Sequence, residues 1–127
     1  MADPALDIAT HLQNNGLGTI GVDLFVSQVA PDPEDAIFVV PPYGGLPAQR
    51  VLGGATEIRF PTVQVRVRRT SYATGYTAAK NAYAALQGAN ISGYMSCEVL
   101  QSEPIYLGTD ENGWHSWSLN VRLTYQA

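Results

Sequence analysis

Hydrophobic and polar residues alternate most clearly over residues 58–69, where Val63, Val65 and Val67 fall on one side and Gln64, Arg66 and Arg68 on the other. A period of two places one face of a strand on a core and leaves the other to water or a partner. The pattern recurs at 114–125: Trp117, Leu119, Val121, Leu123 and Tyr125 share one face, and Ser116, Ser118, Asn120, Arg122 and Thr124 the other. A strand over 94–107 precedes it, and the linker Gly108-Thr109-Asp110-Glu111-Asn112-Gly113 predicts that the two pair as a hairpin. Pro104 interrupts the first of these strands and predicts a bulge or an edge there. Two shorter apolar runs, at 23–29 and 36–40, flank the turn Pro31-Asp32-Pro33-Glu34-Asp35 and read as a further hairpin.

A helical period appears twice. Over Pro4–Asn14, Leu6, Ile8, Ala9 and Leu12 form a stripe, Asp3 stands at the N-cap, Pro4 in the first turn, and Asn15-Gly16 ends the helix. A second helix, capped by Thr70 or Ser71, runs to about Leu86 and ends at Gly88; Tyr72, Tyr76, Ala79, Tyr83 and Leu86 share one side, opposite a face of alanine, threonine and Lys80. Between them, residues 41–55 hold three prolines, four glycines and scattered Tyr43, Leu46, Val51 and Leu52, which reads as a long loop or arm. Its apolar side chains predict burial against its own surface or another chain, and Pro42, Tyr43, Leu46, Arg50, Val51 and Leu52 are the candidate contacts. The order α-β-β-β-α-β-β predicts a single α+β domain, a mostly antiparallel sheet with two helices packed on one face.

Composition narrows the class. Of 127 residues, 46% are hydrophobic and only 14% charged, too apolar for a disordered chain. No apolar run reaches the eighteen or so residues of a spanning helix, and the start of the chain lacks the basic and apolar regions of a secretory signal, so neither a membrane nor export is expected. The net charge of -4 comes from few, unevenly placed groups. Six acids precede the first base; Arg50, Arg59, Arg66, Arg68, Arg69 and Lys80 then follow with only Glu57 among them, and acids return in the last third. A surface so poor in charge fits one covered by partners, and separated acidic and basic stretches fit contact between complementary patches.

A search for reactive chemistry yields little. His11 and His115 form no metal-binding pair, Cys97 lies inside a predicted strand with no basic neighbour in sequence, and no Gly-x-Ser-x-Gly elbow or phosphate loop is present. The acidic pairs Glu34-Asp35 and Asp110-Glu111 fall in turns without calcium-loop spacing. The glycines at 16, 18 and 21 follow a helix and precede a strand, the reverse of a dinucleotide-binding turn. No cofactor, metal or catalytic residue is expected. Arg66, Arg68 and Arg122 are the candidate DNA-facing residues, able to make loose phosphate contacts.

Several blocks carry a resemblance: Asn15-Gly16-Leu17-Gly18, Phe60-Pro61-Thr62-Val63-Gln64-Val65-Arg66-Val67-Arg68, Tyr72-Ala73-Thr74-Gly75-Tyr76 and Leu107-Gly108-Thr109-Asp110-Glu111-Asn112-Gly113. Together they resemble a family of small phage minor capsid proteins similar to the tail terminators of long-tailed bacteriophages. The resemblance implies a virion protein assembled in the host cytoplasm, a hexameric ring of copies of itself that caps the tail tube protein, stops tube growth and docks to the head connector or a head-completion protein. DNA would pass transiently through the lumen, lined by Arg66, Arg68 and Arg122 or by acids. A head-completion or connector-adaptor protein is the alternative within the same class. Outside it stand a small ligand-binding domain, with Glu103, Tyr106, Trp114 and His115 as its pocket, and a DNA-binding accessory protein.

Overall fold

The structure, a computed structural model, describes residues 3–26, 34–41, 46–50 and 57–126. Its elements follow as α1 (Pro4–Asn14), β1 (Leu24–Val26), β2 (Ala36–Val40), β3 (Leu46–Arg50), β4 (Glu57–Phe60), β5 (Thr62–Arg69), α2 (Tyr72–Leu86), β6 (Ser96–Val99), β7 (Ile105–Thr109) and β8 (His115–Gln126). This is the expected α+β arrangement, with both helices on one face of a mostly antiparallel sheet. No helix among the described residues is long and apolar enough to cross a membrane.

The twelve-residue strand β8 organises the sheet. On one edge β5 runs antiparallel to it, Val65 opposite Leu119, and the same register continues past Pro61 into β4, where Ile58 lies opposite Gln126. Pro61 has no N–H to give, but its carbonyl accepts from the Leu123 amide at 3.0 Å, so the ladder passes through the proline unbroken. On the other edge lie β6, with Cys97 opposite Leu123, and β7, with Tyr106 opposite Trp117. Residues 100–104 bulge out between them, where Pro104 predicts an interruption. Beyond β5 lie β2 and then β1; beyond β4 lies β3.

The alternation fixes the core. Val63, Val65, Val67, Trp117, Leu119, Val121 and Leu123 all point to the helix side, where Ile8 and Leu12 of α1 and Ala79, Ala82 and Leu86 of α2 cover them. Each fully buried Val or Leu contributes about 1.5–3 kcal/mol of transfer free energy, an upper estimate against an extended chain. Asp3 caps α1 as expected, its carboxylate accepting from the Leu6 amide at 3.3 Å. His11 Nε2 donates to the Ala85 carbonyl at 2.8 Å, and the Tyr94 hydroxyl to Asp7 at 2.5 Å, tying α1 to both neighbours.

Three local expectations are corrected. First, β1 pairs with β2 in parallel, Phe25 opposite Phe38, so these strands form no hairpin. The direction of β1 is set upstream: the Thr19 carbonyl accepts the amides of Val22, Asp23 and Leu24, and the Asp23 carboxylate accepts from the Thr19 amide at 2.7 Å. That closed turn delivers Leu24 into the core beside α1. Second, the stretch expected as a loop contains β3, which pairs antiparallel with β4, Arg50 opposite Glu57. Pairing with a following strand, rather than composition, makes it a strand. Third, the buried stripe of α2 is Gly75, Ala79, Ala82 and Leu86, while Tyr72 and Tyr76 are exposed. Small residues face the sheet because the indole of Trp117 already fills the space beneath them.

Candidate interaction surfaces

Side chains that leave the core gather in three places. The first begins at α2. Gly75 sits directly over Trp117, so that a Cβ at this position would fall inside the van der Waals envelope of the indole ring. Close approach turns the tyrosines outward beside β7. Tyr72 meets Tyr106 edge to face at 5.3 Å between centroids and Trp117 at 5.4 Å, and the Tyr106 hydroxyl and His115 Nδ1 are hydrogen-bonded at 2.7 Å. Ile105, Tyr106 and Leu107 are 40, 44 and 47% exposed, three consecutive apolar residues on a strand paired only with β8 among the described residues. Lys80 reaches Glu103 at 2.8 Å beside this patch, and the turn Asp110-Glu111 lies at its far end.

The second place is the sheet face away from the helices. Gln64 Nε2 donates to Ser118 Oγ at 3.0 Å, and Arg122 donates to Glu98 Oε1 from Nη2 at 2.5 Å and Nε at 3.1 Å. Arg66 is half-buried, and its Nε is buried with no hydrogen-bond partner. Arg68 is different. Only 5% exposed, its guanidinium lies between the rings of Phe38, at 5.0 Å, and Trp114, at 4.9 Å, and Phe25 stacks on the Phe38 ring at 5.6 Å. A DNA-facing role therefore does not extend to Arg68, which is enclosed by aromatic packing. Next to it Arg69 Nη1 donates to the carbonyls of Ala36 and Arg68; burial lowers the guanidinium below its usual range, opposed by Asp35 and Asp23.

The third place is the hairpin β3–β4. Glu57 holds Arg59, at 2.6 Å, and is more loosely paired with Arg50, at 3.9 Å. The hydrogen bond to Glu57, then contact with Tyr125, raises the affinity of Arg59 for its proton. Two guanidiniums share one carboxylate, so the hairpin keeps a net positive charge. Its flank and the open sheet face enclose a groove of about 490 Å³ lined by Pro47, Phe60, Glu98, Arg122 and Thr124. Of the six residues expected to touch a neighbour, Leu46 and Arg50 belong to β3. Pro42, Tyr43, Val51 and Leu52 lie outside the described residues.

The residues considered as a ligand pocket do not converge. Glu103 is engaged by Lys80, Tyr106 and His115 pack on the helix side, and Trp114 covers Arg68 on the opposite side. Cys97 is buried, donates to the Leu86 carbonyl at 3.2 Å, and has its pKa raised to about 11 by desolvation, with Glu98 adding to the effect. Among the described residues no group of three or more His, Cys, Asp or Glu side chains is placed to hold a metal ion. Gly75 is the residue whose importance sequence reading misses. Its signal was present, since a glycine in the middle of a helix requires a reason.

The family model described as "Bacteriophage tail terminator protein" matches residues 11–127, and the chain belongs to that family. A search of curated protein sequences finds no match. Among solved structures, a chain from "Virion of native gene transfer agent (GTA) particle" superposes with a TM-score of 0.69 at 16% identity, over 98% of this chain and 96% of that one. That likeness shows a shared fold. Family membership makes the protein a structural component of the phage virion, acting at the head–tail junction of the tail.

Proposed function

We propose that copies of this chain close into a ring of six that caps the last ring of tail tube protein, ends tube growth and offers its opposite side to the head connector. The match to the tail terminator family carries this reading; six copies is what the resemblance to long-tailed phage terminators implies. A closed ring requires a heterologous contact, in which two different patches of each copy meet. The aromatic edge at β7 and the basic hairpin β3–β4 are unlike patches of that kind. Residues 41–55, with Pro42, Tyr43, Leu46, Arg50, Val51 and Leu52, act as an arm toward the adjacent copy or the tube. The chain works by assembly rather than by catalysis.

In this reading the open sheet face, with Arg66 and Arg122, turns toward the lumen. Its charge is sparse, because Glu98 offsets Arg122 and the neighbouring positions are Gln64, Ser118, Asn120 and Thr124. Dense basic lining would hold DNA through many phosphate contacts, whereas a mostly neutral polar wall lets it slide. Electron microscopy of the purified protein tests the ring: closed particles of six subunits support it, and a protein that stays monomeric at every concentration refutes it.

A further inference from the structure

Most charged groups are already engaged within the chain. Of the seven basic residues, Lys80 is paired with Glu103, Arg122 with Glu98, Arg69 donates to two carbonyls, Arg68 is enclosed by rings and Arg66 is half-buried. Arg50 and Arg59 alone present side chains that are more than half exposed, 78 and 51%, and one carboxylate serves both. On the acidic side, Asp110 spends one carboxylate oxygen on the amides of Asn112 and Trp114, which fixes the turn and leaves Glu111 exposed at its tip. The two features lie diagonally across the sheet. The turn closes β7 and β8 at the start of β8, and β4 pairs with its last residues on the opposite edge.

Beside that acidic turn lies the β7 edge, guarded only by Pro104 at its start and a register shift between Tyr106 and Gly108, with no element covering it among the described residues. Natural sheets guard exposed edges with charge, proline or a covering element. β6 has such a cover: its Cys97 carbonyl accepts from the Gly88 amide, and its Val99 amide donates to the Gln87 side chain. β7 carries instead Ile105, Tyr106 and Leu107, continued by Tyr72 on α2. Aromatic and aliphatic residues in the centre with charged groups at the rim are the anatomy of a protein interface.

We infer that the β7 edge of one copy receives the β3–β4 hairpin of a second copy, with the apolar residues of the edge against Pro47 and Ala48 and the Asp110-Glu111 turn facing Arg50. The inference rests on the proposed ring and names the contact that builds it. Opposite charge selects this occupant: the acidic turn meets a hairpin that, among the described residues, carries surplus positive charge. Because the contact joins two different surfaces, it propagates from copy to copy until it closes.

Paired substitutions test it. Glu111→Arg raises the protein concentration needed for half-assembly by about tenfold, and Arg50→Glu in the same chain restores it to within about twofold, because each contact then meets reversed partners. Leu107→Cys combined with Ala48→Cys gives, on mild oxidation, a ladder of cross-linked multimers in non-reducing gels, while neither single variant gives more than dimer. Circular dichroism confirms that each variant folds. Intact assembly with no ladder and no charge-swap rescue overturns this contact and leaves the ring standing. A parent protein that never assembles overturns the ring as well.

Discussion

Gly75 and Trp117 are in direct contact, with the helix backbone resting on the indole ring and no room for a methyl group between them. The pair explains why α2 lies so close to the sheet and why its small-residue stripe faces inward. It also explains why Tyr72 and Tyr76 emerge at the surface beside β7. A contact within the core thus sets the composition of an exposed patch.

Gly75→Ala measures this directly. Helix propensity favours alanine by about 1 kcal/mol, but overpacking against a ring that is fully buried works against it by about 1–3 kcal/mol. A Cβ at position 75 would overlap three atoms of the buried Trp117 ring, a rigid group and not a flexible chain end, so the second effect prevails. The variant unfolds at lower denaturant concentration than the parent, and Trp117→Leu in the same chain recovers part of the difference.

Arg68 gives a second prediction. Its planar, delocalised guanidinium lies 5.0 Å from the Phe38 ring centroid and 4.9 Å from that of Trp114, a double aromatic contact that a compact ammonium does not reproduce. Arg68→Lys therefore lowers stability by about 1 kcal/mol despite keeping the charge. The indole of Trp114 reports the change as a shift in fluorescence before any unfolding.

Alkaline pH supplies a third. The Cys97 pKa, raised to about 11 from 9.0, means that burial favours the neutral thiol. This contribution is fully present below pH 9 and is lost as pH rises through 11, because the unfolded thiol ionises first. Tyr94 shifts in the same direction, through burial and then its hydrogen bond to Asp7. Unfolding midpoints should fall steadily above pH 9, and less so in Cys97→Ala. In the folded protein at pH 8 a thiol reagent should react with Cys97 far more slowly than in denaturant.

The hydrogen bond between Tyr94 and Asp7 provides a fourth, at neutral pH. Tyr94→Phe removes one partner of a half-buried bond to a charged group, with an expected loss of about 1.5–3 kcal/mol. α1 is held to the 90s segment by this bond, so hydrogen exchange in Pro4–Asn14 accelerates more than in β8.

What the chain's pattern reveals, and what it hides, follows from the range of the forces involved. The alternation at Val63, Val65 and Val67 and at Trp117, Leu119 and Val121 determines both strands and the face they bury, because side-chain direction is local. Asp3, Pro4 and Gly88 mark helix ends for the same reason. The parallel pairing of β1 with β2 is not legible, since it depends on the Thr19 turn and on where Leu24 docks. Strand β3 is hidden by Pro47 and the surrounding glycines until β4 is there to pair with it. Of the candidate contacts, Arg50 is assigned by composition to a loop or arm, and the structure places it on the exposed strand β3. Arg68 has the outward parity of Arg66, yet Phe38 and Trp114, distant in sequence, enclose it. Neither charge nor period encodes that meeting.

Tail length in particles made without this protein tests the account most directly. If the chain is the terminator, electron micrographs show tubes of widely varied and excessive length with heads unjoined, and supplying the protein in trans restores uniform tails bearing heads. Particles of normal tail length with heads attached, in its absence, would contradict the account.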